Sequence, residues 1–269
     1  KFSQVYELLI EKPMLLLEHA AIWDMLLAVC DFFVNHPYPK CYIRELGIEG
    51  VDTKFIEKHR QLIDMCLSRI VVPVDSSVSS LSDYGFEKKY GLKYPQTMVH
   101  FRILDSKLYI NGLEDMSLPL ETFNRVNIPC KRVFIVENKI TMLSFPPLSD
   151  SIVIFGHGYR IGMFKEIRWL DQMEIIYWGD IDIDGFAILS QLRRYFSHAV
   201  SIFMDDVTFE QYYHLGVDEP TQKTFKVLEF LNKDEYSAYQ KLLQDGKNSY
   251  RIEQERIPFN KVLAYLENM

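Results

Sequence analysis

The stretch EIIYWGDIDIDG, Glu174–Gly185, decides how the rest of the chain reads. Ile175-Ile176-Tyr177-Trp178 is a short apolar run closed by Gly179, the pattern of a buried strand. Asp180, Asp182 and Asp184 follow, with Gly185 behind them. Carboxylates this close repel one another, which raises their proton affinity, and a divalent cation reverses that penalty. Oxygen ligands on a loop after a buried strand suit a hard ion such as Mg²⁺. The next segment, FAILSQLRRYF (Phe186–Phe196), predicts a helix whose N-terminal amides face the same point and are placed to help hold a phosphate.

Three readings of this stretch compete. A calcium loop would set Asp180, Asp182, Asp184 and Gly185 in its first half, but it needs a bidentate Glu where Gln191 stands and a helix where the strand runs. A solvated acidic turn without function is the second. The third, a metal site for phosphate chemistry, gains weight only if acids arrive from neighbouring strands.

Working outward, RVFIV (Arg132–Val136), SIVIF (Ser151–Phe155) and VSIFM (Val200–Met204) read as further strands. Helical stretches lie between them: Lys139–Phe145, then Tyr159–Leu170 with Ile161, Phe164, Ile167 and Leu170 inward, then Phe186–Phe196. Alternation of this kind predicts an α/β unit with a mainly parallel sheet flanked by helices, and such sheets bind at the C-terminal ends of their strands. The first strand ends in Glu137, the second in Gly156-His157-Gly158, the third in Asp180 and Asp182, the fourth in Asp205 and Asp206. Acids after three of these four strands favour a shared cation site over surface decoration. Glu137 has a plainer alternative, capping the helix at Lys139. His157 reads as a loop residue or phosphate binder before it reads as a ligand. Arg160 is a candidate phosphate clamp by its forked donors.

Upstream, Lys1–Val34 reads as helical with a break at Pro13, and Pro37 and Pro39 end that run. Asp52 or Thr53 can cap a helix over Lys54–Ser68, with Phe55, His59, Leu62, Ile63 and Leu67 on one face. Helix, turn and helix of this size are compatible with an α+β winged-helix module, in which Lys54, Lys58, His59 and Arg60 would face DNA; a solvated helix surface explains them equally well. Val71–Gly91 reads as a loop or wing, and Thr97–Leu104 with Lys107–Ile110 as an antiparallel pair. The expected division is therefore 1–125, helical and winged-helix-like, and 126–269, the parallel-sheet domain with C-terminal helices. Those helices are expected at Asp206–His214, Thr224–Leu231, Lys233–Leu243 and from Pro258 onward. RIEQERI (Arg251–Ile257) precedes the last, and its Glu253 and Glu255 are expected to fall back over the sheet, with ordinary helix ion pairing as the bland account.

Composition bounds these readings. The 269 residues are 48% hydrophobic, ample for a core, and carry a net charge of -7, which argues against strong nonspecific binding to nucleic acid by this chain alone. Cys30, Cys41, Cys66 and Cys130 form no CxxC pair or zinc spacing, as expected of thiols in a reducing compartment. With no signal peptide and no apolar run of about 18 residues, a cytoplasmic chain without a membrane span is expected. Lys1 in place of an initiating methionine is expected of a fragment.

Glu137 followed by D-x-D-x-x-G at Asp180, Asp182 and Gly185 resembles the Toprim domain of topoisomerases, primases and related nucleases. Together VFIVEN (Val133–Asn138), IFGHG (Ile154–Gly158), YWGDIDIDGFAIL (Tyr177–Leu189), RIEQERI and, upstream, GVDTKFIEKH (Gly50–His59) are similar to the JetD family of Wadjet, the bacterial anti-plasmid defence system. That family has a topoisomerase VI A subunit-like layout, a winged-helix or catabolite-activator-like domain followed by Toprim. The resemblance implies a metal-dependent DNA endonuclease, a homodimer with one site per strand. It would act on double-stranded circular DNA with an SMC-like ATPase complex containing kleisin-type subunits.

It further implies Mg²⁺ (or Mn²⁺ in vitro) held by Glu137, Asp180 and Asp182, with Asp184 adjacent. Glu253 or Glu255 is placed for a second cation, and Lys139 or Arg160 for the phosphate. Topoisomerase VI uses a tyrosine in an Arg-Asp-x-Tyr-Tyr-like setting. Neither Tyr38 nor Tyr42 sits in one, which favours hydrolysis by metal-activated water over a tyrosyl link. Two alternatives stand beside this reading. One is a non-catalytic module that recruits DNA or the motor complex. The other is a phosphohydrolase with Asp180 as nucleophile, since strand-D-x-D occurs in the haloacid dehalogenase group.

Overall fold

A computed structural model describes residues 2–80, 82–156, 158–219, 224, 226–243 and 250–269, with the backbone alone for residues 16 and 158–160. The chain divides into two units, Lys1–Pro95 and Gln96–Met269.

Among its described residues the first unit is helical. Pro13 opens the helix Pro13–Glu18 directly behind Ser3–Glu11, because proline fits a first helical turn but not a helix interior. Trp23–Asn35 follows and buries Trp23, Leu26, Val29, Cys30 and Phe33. The side chain of Asp52 accepts from Phe55 N at 2.7 Å and starts Thr53–Lys58. The single helix expected over Lys54–Ser68 is broken at His59 (φ -107°, ψ 19°), and a second helix runs Arg60–Ile70. Residues 71–91, expected as a loop or wing, carry the helix Gly85–Lys89, which with Tyr90 plugs the core: Phe86 and Tyr90 are fully buried. Asp64 ties this plug down, accepting from Lys89 Nζ at 2.6 Å, Tyr90 OH at 2.5 Å and Ser80 Oγ at 2.9 Å. No strand occurs among the described residues of this unit, so the winged-helix expectation finds no β-wing here.

The antiparallel strands belong to the second unit. Its six-stranded sheet has the order β2-β1-β4-β3-β5-β6, with β1 Met98–Ile103, β2 Asp115–Pro119, β3 Arg132–Val136, β4 Ser151–Phe155, β5 Glu174–Trp178 and β6 Val200–Ser201. β3 pairs in parallel with both β4 and β5, and β5 with β6; β1 adds antiparallel to β4 and β2 to β1. The partner of β1 is thus Asp115–Pro119, not Lys107–Ile110, much of which is taken up by a 3₁₀ turn at Ser106–Leu108. Because β1 and β2 extend the parallel sheet, the boundary falls after Pro95 rather than near residue 125. Val133–Val136 and Ile152–Ile154 are wholly buried, as parallel strands covered on both faces must be.

The expected helix Lys139–Phe145 forms as Lys139–Ser144, and Phe186–Phe196 as Ile183–Tyr195. Tyr159–Leu170 is 3₁₀ rather than α, as Gly158–Glu166 and Arg168–Gln172. Ile161, Phe164, Ile167 and Leu170 recur every third residue, the 3₁₀ period, and all four are fully buried. Downstream, Lys233–Leu243 and Phe259–Leu266 are helices, whereas no helix forms over the described part of 224–231. No described helix is long and apolar enough to cross a membrane.

Candidate functional site

Strand order brings the acids together. Val136 lies opposite Trp178 in the β3–β5 register, so Glu137 and Gly179 leave the sheet side by side. Glycine is required at 179 by crowding: a Cβ there would press on Glu137 Oε1 and come within 2.8 Å of Tyr177 Cζ. The Tyr177 hydroxyl, wholly buried, donates to Glu137 Oε1. Burial pushes the Glu137 carboxyl up to about 7; Asp180 and Asp182 add to the rise, while the Tyr177 hydrogen bond and the Arg251 charge oppose it. Glu137 does not cap the following helix. Asn138 does, accepting from Thr141 N at 2.9 Å.

Asp182 is buried and caps the helix Ile183–Tyr195, accepting from Gly185 N at 2.7 Å. Gly185 lets that helix start close against the preceding turn, since a Cβ on it would strike the Asp180 carbonyl. Asp180 has a partner on each oxygen. Oδ1 accepts from Gln254 N at 2.8 Å, and Oδ2 pairs with Arg251 Nη2 at 2.6 Å. Burial raises its pKa, with the Asp182 charge adding and the Gln254 and Arg251 contacts opposing. Asp184 stands one turn on and pairs with Lys226 Nζ at 2.8 Å.

The segment 250–257 does fall back over the sheet. Ile181 and Ile252 exchange backbone hydrogen bonds of 2.9 and 3.1 Å. Tyr250–Arg251 (β8) pairs with Val217–Asp218 (β7). Gln254, buried, joins the two central strand ends: its amide nitrogen donates to Trp178 O and its oxygen accepts from Asn138 N at 3.2 Å. Glu253 lies 3.6 Å from both Arg251 and Arg256, and Glu255 accepts from Asn138 Nδ2.

Of the predicted site residues, Glu137, Asp180 and Asp182 lie at the neighbouring ends of β3 and β5, and Asp184, Glu253 and Glu255 border them. Lys139 is exposed beside them. His157 and the side chain of Arg160 lie outside the described residues. Asp205 and Asp206 are committed elsewhere: the first caps the helix Asp206–Tyr212 and the second pairs with Lys241 at 2.8 Å. In the first unit Lys54 and Lys58 are exposed, while Arg60 is held by Glu87 at 2.7 Å. Sequence reasoning missed Tyr177, Asn138, Arg251 and Gln254. The last two sit in the very motif quoted for its glutamates, which carries no local signal that they face inward. Among the described residues no three His, Cys, Asp or Glu side chains converge as a ready metal cage.

A mainly parallel sheet with carboxylates at the ends of its neighbouring strands β3 and β5 defines an α/β domain with an acidic strand-end site. The model of the Wadjet protein JetD C-terminal family matches residues 91–266, and the chain belongs to that family. Residues 1–68 match a second family, described as an uncharacterized N-terminal region conserved in bacteria. A Wadjet protein JetD of Bacillus cereus (strain Q1) is 29% identical over 90 residues. That match covers 33% of this chain and 22% of the relative's length.

Proposed function

We propose that this chain is the metal-dependent DNA endonuclease subunit of a Wadjet defence complex, its second unit a Toprim-type nuclease domain. One observation carries the reading: Glu137 at the end of β3 and Asp180 and Asp182 after the neighbouring β5. Family membership supplies the context.

The donor set fits a hard divalent cation. Burial, with the charges of Asp180 and Asp182 adding to it, drives the Glu137 carboxyl up to about 7, and a cation relieves that cost. Glu137, Asp180 and Asp182 would hold Mg²⁺, with Asp184 or Glu253 bordering a second position. When bound, Mg²⁺ supplies positive charge at the scissile phosphate and activates water for its hydrolysis. The chain's own residues prepare the site. Tyr177 orients Glu137 by a buried hydrogen bond. Gln254 locks the spacing of the two strand ends, and Asp182 is fixed by its capping bond. Lys139, exposed on the first helical turn beyond Glu137, is placed to meet DNA phosphate. Two copies, one per strand, would cut duplex circular DNA, with the SMC-like ATPase and its kleisin-type subunits delivering the substrate.

The test is cleavage of supercoiled plasmid with Mg²⁺, Mn²⁺ or EDTA, with and without the ATPase complex. Metal-dependent breaks that disappear in Glu137→Ala and Asp180→Ala are expected. Cleavage indifferent to both substitutions, or none with the full complex, refutes the assignment.

A further inference from the structure

We infer that Arg251 is a counter-cation built into the site, whose guanidinium holds Asp180 until a divalent cation displaces it. The inference rests on the metal-site reading above and adds a competitor within the chain. Arg251 spreads single contacts over three carboxylates: Nη2 to Asp180 at 2.6 Å and to Glu253 at 3.6 Å, and Nη1 to Glu219 at 2.7 Å. Its Nε is buried without a hydrogen-bond partner.

A second arginine in the same unit shows what a structural pair looks like. Arg193 engages both oxygens of buried Glu235 through its two terminal nitrogens, and its Nε donates to Ala199 O at 2.8 Å. That is the forked geometry by which arginine clamps one carboxylate. Arg251 forgoes it. Its arrangement balances charge over a cluster and fixes no single partner in a fork, so one contact can be surrendered while others stay.

The backbone permits the exchange. The segment bearing Arg251 is anchored by the Ile181–Ile252 hydrogen bonds, by pairing with Val217–Asp218 and by Gln254. None of these depends on the Arg251 side chain. Asp180 Oδ1 is already taken by Gln254 N, so Oδ2 is the oxygen that Arg251 must yield for a cation to coordinate there. Removing the guanidinium leaves a carboxylate cluster short of one positive charge, and a divalent cation is the ready replacement.

The experiment is isothermal titration of Mn²⁺ into the whole chain, without DNA, for the wild type, Arg251→Met, Arg251→Gln, Arg251→Lys and Asp180→Asn. Circular dichroism checks the fold of each. Both neutral variants are expected to bind Mn²⁺ at least tenfold more tightly than the wild type, with Arg251→Lys near it and Asp180→Asn at least tenfold weaker. Two neutral side chains of different polarity guard against one of them failing to fold. Unchanged or weaker binding in Arg251→Met and Arg251→Gln, with Asp180→Asn still weakened, overturns the displacement inference alone. Equal Mn²⁺ affinity in all five proteins overturns the metal site itself, and the inference with it.

Discussion

Gly185→Ala tests the architecture of the site without appeal to its function. Gly185 lies in the first turn of the helix Ile183–Tyr195. By propensity alone, alanine at a helical glycine stabilises by about 1 kcal/mol. The structure predicts the opposite sign. A Cβ at 185 would strike the Asp180 carbonyl oxygen and lie 3.1 Å from its carbon and 3.4 Å from Asp180 N. These neighbours are backbone, and the peptide that carries them is pinned by the Ile181–Ile252 bridge, so they cannot swing away as a side chain would. Overpacking of this kind costs roughly 1–3 kcal/mol, and a clash with fixed backbone belongs near the top of that range. Net destabilisation is therefore expected at about 2 kcal/mol once the helix gain is subtracted. The assay is urea denaturation followed by Trp169 and Trp178 fluorescence, both in the second unit, in a Trp23→Phe background that silences the first. The midpoint should fall at unchanged slope. A Gly185→Ala protein as stable as its parent, or more so, would refute the close-approach argument for this glycine.

Two further outcomes follow from buried charge. Glu235 is buried, pairs with Arg193 through both oxygens and also accepts from Asn232 N at 2.8 Å. Glu235→Ala strands Arg193 and should cost about 3–5 kcal/mol in urea denaturation of the second unit, with a loss under about 1 kcal/mol contradicting this. In the first unit, burial works to raise the Asp64 pKa, but bonds from Lys89, Tyr90 and Ser80 outweigh it and hold the group below its ordinary 3.8. A carboxyl depressed on folding contributes stability that is present above its unfolded pKa and lost as pH falls through the folded one. Acid titration of Asp64→Asn should therefore show a shallower loss of first-unit stability below pH 3.8 than the wild type, and parallel curves would count against it.

The strands β3, β4 and β5 were legible because each is a compact apolar run bounded by Gly, Pro or acid, whereas the run expected as a strand over Val200–Met204 pairs only at Val200–Ser201. What sequence missed was partner choice. Asp115–Pro119 carries Asp, Ser and Pro, poor strand formers, yet it pairs with β1, while the more strand-like Lys107–Ile110 does not. Tertiary position outweighs propensity there, and the domain boundary moved with it. The 3₁₀ period at Ile161, Phe164, Ile167 and Leu170 was visible, but three-residue and 3.6-residue spacings diverge little over so few turns. At the site, the acids could be read because strand ends are predictable positions. Their partners could not: Gln254 meets Asp180 across 74 positions of sequence, and nothing local in RIEQERI says which residue faces inward.

The order β4-β3-β5 explains why the first and third parallel strands, rather than the first and second, share the site. After β4 the chain crosses back over β3 before laying down β5, which puts the reversal of strand order between β3 and β5. Ligand crevices in open α/β sheets lie at such reversals. Distance makes the same point. Neighbouring strands stand about 4.8 Å apart, so carboxylates leaving adjacent strand ends can reach one cation with oxygens about 2.1 Å from it. Had the strands been laid down in sequence order, β4 would separate Glu137 from Asp180 and Asp182 by about 10 Å, beyond the span of one coordination shell. By the same measure Asp205 and Asp206, following β6 at the sheet's edge, stand a strand further from Glu137, and they are spent on a helix cap and on Lys241. An acid after a strand therefore points to a shared site only when strand order makes it a neighbour of another, and here that order makes neighbours of Glu137, Asp180 and Asp182.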